Sequence, residues 1–465
     1  MRASRGMVLG TLLGAIMWVA GIALAHAAGM PVPGVSAHLA AHPPYQCVTN
    51  YYVDPVNGSH TNPGTLALPW ISPTDADDGY PNTPTPGECV NLASGTYPVP
   101  STLIFAHGGD KNTATGFVTY RSMTPGGAHL IAEPGIDDGG NGDVIMIWAP
   151  YLIFDGLEID GNNGLANGSG IDGCANGGQP GNIADHFVAL NNMIHDVGGS
   201  GLSSCSADKI TWSHNVVYHT SLTSQYQVSA LNVWQPQATP DGVGDGTAYW
   251  GITIAHNIAH DNGEGPSIPG NHTDGNGIII DTTLDSVACP TCGNAYTGQI
   301  LVIGNSSYNN GGGGVHVFLS ANATVANNTI YNSYTDALNN GTARGECSDG
   351  GSTGITWLNN ICYAVSGKGI LAYNAPIATF PVNFGGAAQF PDSGTWAGNL
   401  TFGGAPNNTT STDAPASSNN LLGVDPMLTD PAHGNFKPLP GSPVIGAGVA
   451  VPHTGEPAHP DIGAY

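Results

Sequence analysis

The sequence predicts an all-β chain wound as a parallel solenoid, and three observations carry that reading. Only 9% of the 465 residues are charged, while 68 are Gly and 35 are Pro; an ordinary soluble domain carries about 25% charged residues. Eight Lys plus Arg cannot furnish the polar faces of several long helices. Coiled coils, helical bundles and doubly wound α/β folds are thereby excluded. Hydrophobic residues still make up 40% of the chain, enough to bury a large core and to exclude disorder. The third observation is an internal repeat, a short phrase of β-type residues closed by Asn.

Taken in order, the chain opens on an export signal over residues 1–28. Arg2 and Arg5 precede an apolar run from Met7 to Ala25, and Ala23-Leu24-Ala25 or Ala25-His26-Ala27 offers a small-x-small cleavage site. The run is also long enough to stay as an anchor; no other stretch approaches spanning length. The mature protein is expected outside the cytoplasm, secreted or periplasmic, as a monomer with no other membrane contact. Its eight cysteines, an even set, suit disulfides there. Cys174 with Cys205, Cys347 with Cys362 and Cys289 with Cys292 are the expected pairs. The last closes a loop; with no second CxxC and no βαβ context it is not a zinc or redox motif. Without Arg2 and Arg5, six basic residues face 33 acidic ones. That balance repels nucleic acid and anionic membranes.

The repeat phrase appears as Val188-Ala189-Leu190-Asn191-Asn192, Ile210 to Asn215, Ile252 to Asn257, Ile300 to Asn305, Ala323 to Asn328, Ile355 to Asn360 and Gly394 to Asn399. The turn-Asn spacings are 23, 42, 48, 23, 32 and 39 residues, so the unit is about 23 with insertions. Asn suits a fixed turn because it tolerates the left-handed region and its amide can bond the Asn above and below. Three residues later comes a ring: His195, Tyr218, His260, Tyr308, Tyr331, Tyr363 or Phe402. These rings are expected to stack as a core ladder. A small residue then leads into a second strand at Gly201-Leu202, Ala230-Leu231, Gly277-Ile278, Gly314-Val315, Ala337-Leu338 and Gly369-Ile370. Such a unit holds about three short strands and three turns, one rung of a solenoid.

These repeats resemble the right-handed parallel β-helix repeats of the pectate-lyase-like superfamily. Tyr51-Tyr52-Val53-Asp54-Pro55 through Asn62-Pro63-Gly64-Thr65, with Gly95-Thr96-Tyr97, is similar to the opening segment of ninth-family polysaccharide lyases. Ser442-Pro443-Val444-Ile445 and Asp461 to Tyr465 resemble the closing segment of related exported β-helix proteins. The resemblance implies a single-stranded right-handed β-helix over residues 97–402. An N-terminal cap covers 29–96, and a C-terminal segment, 403–465, packs on the solenoid. It also implies a polysaccharide substrate.

The functional site is read from excess length and parity. The rungs with spacings 42 and 48 carry about 19 and 25 extra residues, including Gln235 to Tyr249, Asn262 to Asn276 and Thr282 to Thr297. Loops that wall one stretch of a rigid face make a cleft. With Leu231, Val233, Ile278, Ile280, Val315 and Val317 inside, one outer row is Asn232, Ile279 and His316, and the next is Trp234, Asp281 and Phe318. Two rings around a carboxylate, with an imidazole diagonal to it, suit a sugar subsite. His272-Thr273-Asp274-Gly275-Asn276-Gly277 feeds that strand, and Arg344-Gly345-Glu346 lies in a further loop. The expected catalytic set is His272, Asp274, Asp281, His316 and Arg344. Asn232, Trp234, Gln235, Phe318 and Glu346 are expected to bind substrate.

Two chemistries fit these residues. Elimination from a uronate polymer, the first, uses Arg344 or a bound Ca2+ to neutralise the carboxylate and His316 or His272 as base. Ninth-family lyases use a Lys base, and no Lys lies in these rows. Hydrolysis instead uses Asp281 and Asp274 as its two carboxylates. Calcium is the one cofactor expected, with Asp241 and Asp245, or Asp75, Asp77 and Asp78, as its carboxylates; none matches an EF-hand pattern. A non-enzymatic surface or wall-binding protein is the remaining alternative, and it would not gather its insertions at residues 235–300.

Overall fold

Strands of three to six residues alternate apolar and polar side chains here, and none can bury its apolar face alone. The chain solves this by winding. In the computed structural model the described residues are 47–465, apart from 78–84, 111–115, 137–141, 175–183, 225–227, 239–248, 266–271, 273, 285–294, 337, 340–344, 366–374, 381–392, 405–407 and 410–418. The export signal, Arg344, Asp78, Asp241, Asp245, Cys289 and Cys292 lie outside the described residues.

Three parallel sheets of 11, 10 and 11 strands run the length of the molecule as a right-handed parallel β-helix. Each turn takes one strand from sheet I, then one from sheet III, then one from sheet II. A typical turn is Trp250–Ala255, Ile258–His260 and Ile278–Asp281. Parallel pairing begins with Thr49–Val53 on Glu88–Leu92 and ends with Leu400–Gly403 on Leu421–Leu422, beyond both ends of the expected 97–402 span. Inside, Phe105, Phe154, Phe187 and Trp212 pack edge-to-face from rung to rung, and Trp357 stacks on Trp396.

The repeat Asn residues form a continuous ladder at the corner between sheets I and III. Asn192, Asn215, Asn257, Asn305, Asn328, Asn360 and Asn399 each donate from Nδ2 to the Oδ1 of the next, and Asn420 closes the ladder as an acceptor. Each also donates to a backbone carbonyl of the preceding rung, as Asn257 does to Trp212 at 2.9 Å. The left-handed conformation falls one residue earlier than expected, on Asn191, His214, His256, Gly304, Asn327, Asn359, Gly398 and Asn419. The two talents of Asn are thus divided between neighbouring positions. A shorter ladder, Thr220 to Asn262 to Asn310, marks the next corner.

The ring column also departs from expectation. His195, Tyr218, His260 and Tyr308 do stack, at centroid separations of 4.9, 5.1 and 4.9 Å. They do so on the outer face of sheet III, because Ile194, Val217 and Ala259 take the inward positions. From Tyr308 onward the C-terminal segment covers the column with Leu428, Phe436, Val444 and Ile462. The second strand after Tyr331 is Gly345–Gly350, not the one expected at Ala337-Leu338, and Leu338 is exposed. Disulfides join Cys174 to Cys205 and Cys347 to Cys362, as expected, and Cys47 to Cys89 at the first rung.

Candidate active site

The outer face of sheet II carries the two rows that parity implies. Asn232 pairs with Ile279 and Ile279 with His316, while Trp234 pairs with Asp281 and Asp281 with Phe318. Leu231, Val233, Ile278, Ile280, Val315 and Val317 are fully buried beneath them. The first row continues to Asp172 and Ser203 on one side and to Ser348 on the other. Trp234 presents a ring 41% exposed, the most open aromatic of this face. Such a ring suits stacking on a pyranose.

Asp281 ends its strand half-buried, its Oδ1 accepting from Thr282 Oγ1 at 2.6 Å. Burial pushes its carboxyl up to about 6. Asp274 sits in the loop that feeds this strand. Asn276 Nδ2 donates to its Oδ1 at 3.1 Å, and its own N–H donates to Glu264 Oε2 at 3.2 Å. Burial, then the charges of Asp281 and Glu264, raise the Asp274 carboxyl to about 7. The loop is pinned by Asn276, which also donates to Ser229 Oγ and accepts from the Gly313 N–H. The sequence places Gly275 in the left-handed region here (φ 74°), where its backbone meets Gly263 closely.

His316 is half-buried on the next rung, with Nδ1 2.7 Å from Ser348 Oγ and its ring stacked 5.7 Å from Phe318. Burial lowers its pKa to about 4, so the imidazole is neutral at pH 7. The structure thus brings Asn232, Trp234, Asp281, His316 and Phe318 to one face, with Asp274 in the adjoining loop within electrostatic reach of Asp281.

The other expected site residues lie elsewhere. His272 is 1% exposed, bridges to Asn339 and holds Asp336 Oδ2 2.6 Å from its Nδ1. Gln235 is a buried turn residue in the left-handed region, its N–H donating to the Asp281 carbonyl. Glu346 is wholly buried and accepts from the Ser333 N–H with both carboxylate oxygens, a corner cap out of a glycan's reach. Sequence reasoning missed Asp172, although the same parity applied to Ile171–Cys174 points it outward. Burial, then the charge of Asp143, raises its carboxyl. Asp336 and Glu264 carried no sequence signal, since they meet His272 only through the folding of loops.

Glu264, His272 and Asp336 each offer one atom to a cation, all within 4.8 Å of one another. An imidazole in that set suits a transition cation better than Ca2+, which takes six to eight oxygens. The Asp75 and Asp77 carboxylates are already used as caps, for Ile71 and Ser72 and for Ala106 and His107. Both groups of three clustered ligand residues among the described residues include an imidazole.

No protein-family model matches the chain, and no curated protein matches it. Among solved structures it is similar to pectate lyase Pel9A, with 15% identity and a TM-score of 0.53, covering 92% of this chain and 98% of that one. It also matches the A-module of the mannuronan C-5 epimerase AlgE6 of Azotobacter vinelandii (18% identity, TM-score 0.43, 72% and 86% covered). A third match is the GH136 lacto-N-biosidase from Eubacterium ramulus (13% identity, TM-score 0.42, 81% and 68% covered). The likeness to the pectate lyase extends over nearly the whole chain and is a likeness of fold.

Proposed function

We propose that this chain is an exported enzyme that cleaves a polysaccharide on the outer face of sheet II, with Asp274 and Asp281 as its proton-handling pair. The observation that carries the reading is a pair of carboxyls, Asp281 between Trp234 and Phe318 and Asp274 in the loop that feeds its strand, whose burial raises them to about 6 and about 7. Between about pH 6 and 7 the pair favours an ionised Asp281 beside a protonated Asp274. Hydrolysis needs that division: Asp274 protonates the leaving glycosidic oxygen, and Asp281 activates water or attacks the anomeric carbon. Trp234 and Phe318 supply ring faces or edges to the sugar, and Asn232 an amide for its hydroxyls.

The absence of a Lys or Arg partner for either Asp among the described residues favours a neutral glycan over a uronate, because an ionised Asp281 with no cation beside it would repel an acidic sugar. Elimination remains the second reading, favoured by the neutral His316, which can take a proton. Arg344 would neutralise the uronate there. Fold-level likeness to a pectate lyase does not decide between them. Three disulfides among the described residues support a compartment outside the reducing cytoplasm.

A panel of neutral and uronate-containing polysaccharides tests this reading. Reducing ends without a rise in ultraviolet absorbance mean hydrolysis; both together mean elimination. Neither on any glycan overturns the enzyme assignment.

A further inference from the structure

On the outer face of sheet III, away from Asp274 and Asp281, four successive rungs bring three imidazoles and three carboxylates together. His129 pairs with Glu158, while Asp160 pairs with His195 and His195 with Tyr218. His195 Nδ1 lies 2.7 Å from Asp196 Oδ2 and 3.9 Å from Asp160 Oδ1. One atom from each of Asp160, His195 and Asp196 falls within 4.8 Å of the others. We propose that these three residues bind a divalent transition cation of the zinc class.

Four features support the assignment. A metal about 2.0–2.2 Å from each ligand spaces neighbouring ligand atoms by roughly 3–3.5 Å, between the two distances observed. The outer shell is already built. Asp160 Oδ2 lies 3.2 Å from His129 Nε2, and Asp196 Oδ1 lies 3.2 Å from His219 Nδ1. On its far side the His195 ring turns Nε2 toward Glu158 Oε1 at 3.5 Å, the carboxylate–histidine arrangement that orients metal-bound imidazoles. That nitrogen is buried and makes no hydrogen bond of ordinary length among the described residues, and His195 is itself 7% exposed. The charge balance agrees: among the described residues these carboxylates pair only with imidazoles, never with Lys or Arg.

The next ring of the column but one is an internal control. His260 repeats the local pair, with Nδ1 2.7 Å from Asp261 Oδ2, but no further carboxylate joins it in a three-ligand group. The convergence at His195 is therefore not a by-product of the repeat. An imidazole with two carboxylates selects Zn2+, Co2+ or Ni2+ over Ca2+. With ligands from two rungs and supports from a third and fourth, the ion would clasp the solenoid from outside.

The test uses the mature full-length protein, stripped of metal and titrated with Zn2+ by calorimetry and with Co2+ by visible absorption. The proposal expects the double variant Asp160→Asn/Asp196→Asn to bind one equivalent fewer than the unsubstituted protein. Its zinc-induced rise in Tm should shrink, and glycan cleavage should be unchanged. His195→Gln, which keeps the side chain polar, should lose the same equivalent should the double variant fail to fold. Unchanged stoichiometry in these variants overturns the site. So does loss of the only equivalent in His272→Gln/Asp336→Asn, which would place the metal at the other cluster. No binding of either ion by the unsubstituted protein overturns it as well.

Discussion

Asp281 lies within electrostatic reach of Asp274, and its charge helps hold the Asp274 proton up to about pH 7. Neither residue would be an acid–base catalyst in an open turn; burial of both makes them one. The pair should give a bell-shaped pH–rate profile, its limbs near 6 and 7 and belonging to the pair jointly. Asp281→Asn and Asp274→Asn should each lower kcat on the order of 100-fold or more with the circular dichroism spectrum unchanged. Full activity in both variants moves the chemistry elsewhere, with Asp143 and Asp172 the next pair to substitute.

His316→Ala separates the two chemistries. Under hydrolysis the imidazole only stands beside the pair on the same face, and kcat should fall less than about 10-fold. Under elimination it is the base, and the loss should reach roughly 100-fold. Rates measured on the active glycan of the panel decide.

Trp234→Ala should raise KM about 10-fold and leave kcat near its original value, because a stacking platform grips ground and transition states alike. A fall in kcat with KM constant would instead make the ring part of transition-state binding.

The same carboxyls should make the protein more stable in mild acid. Both folded pKa values lie above the unfolded value of 3.8. Their protonated forms are favoured by folding, so this contribution is complete below about pH 4 and is lost as pH rises through 6 and 7. Asp274→Asn/Asp281→Asn should therefore melt at higher temperature than the parent at pH 8, and the gap should close at pH 4. Calorimetric melts at the two pH values check the sign.

Asn257→Asp should cost about 3 kcal/mol. Nδ2 of Asn257 donates to Asn305 Oδ1 and to the Trp212 carbonyl. A carboxylate there can donate to neither, and buried acceptors are left facing each other. Urea unfolding measures it; a change under 1 kcal/mol would mean that the ladder is passive.

The sequence made the solenoid readable because its signals are local: Asn at a fixed phase and strict alternation on each strand. Parity alone fixes the pairing of Trp234, Asp281 and Phe318, down to the register of the rungs. It also misled where the chain leaves its strands. His272 and Gln235 were read from loops, and whether a loop residue faces solvent or folds under depends on partners far away, Asp336 for His272. The rings of the column suit a core by residue type; their parity, one step from Ile194, puts them outside. Glu346 reads as a ligand group from its place beside Arg344 in the sequence, yet both its carboxylate oxygens accept from the buried Ser333 N–H.

The Asn ladder separates distance along the chain from distance in space. Successive members are 21 to 48 residues apart in sequence, yet at every step the side-chain amide reaches the next Asn at 2.9 to 3.2 Å. A loop can therefore gain or lose tens of residues between two rungs without disturbing either. For a lineage of such proteins this makes the scaffold a fixed ruler and the loops freely exchangeable text. Substrate preference can then change by swapping one loop, with no new fold to discover.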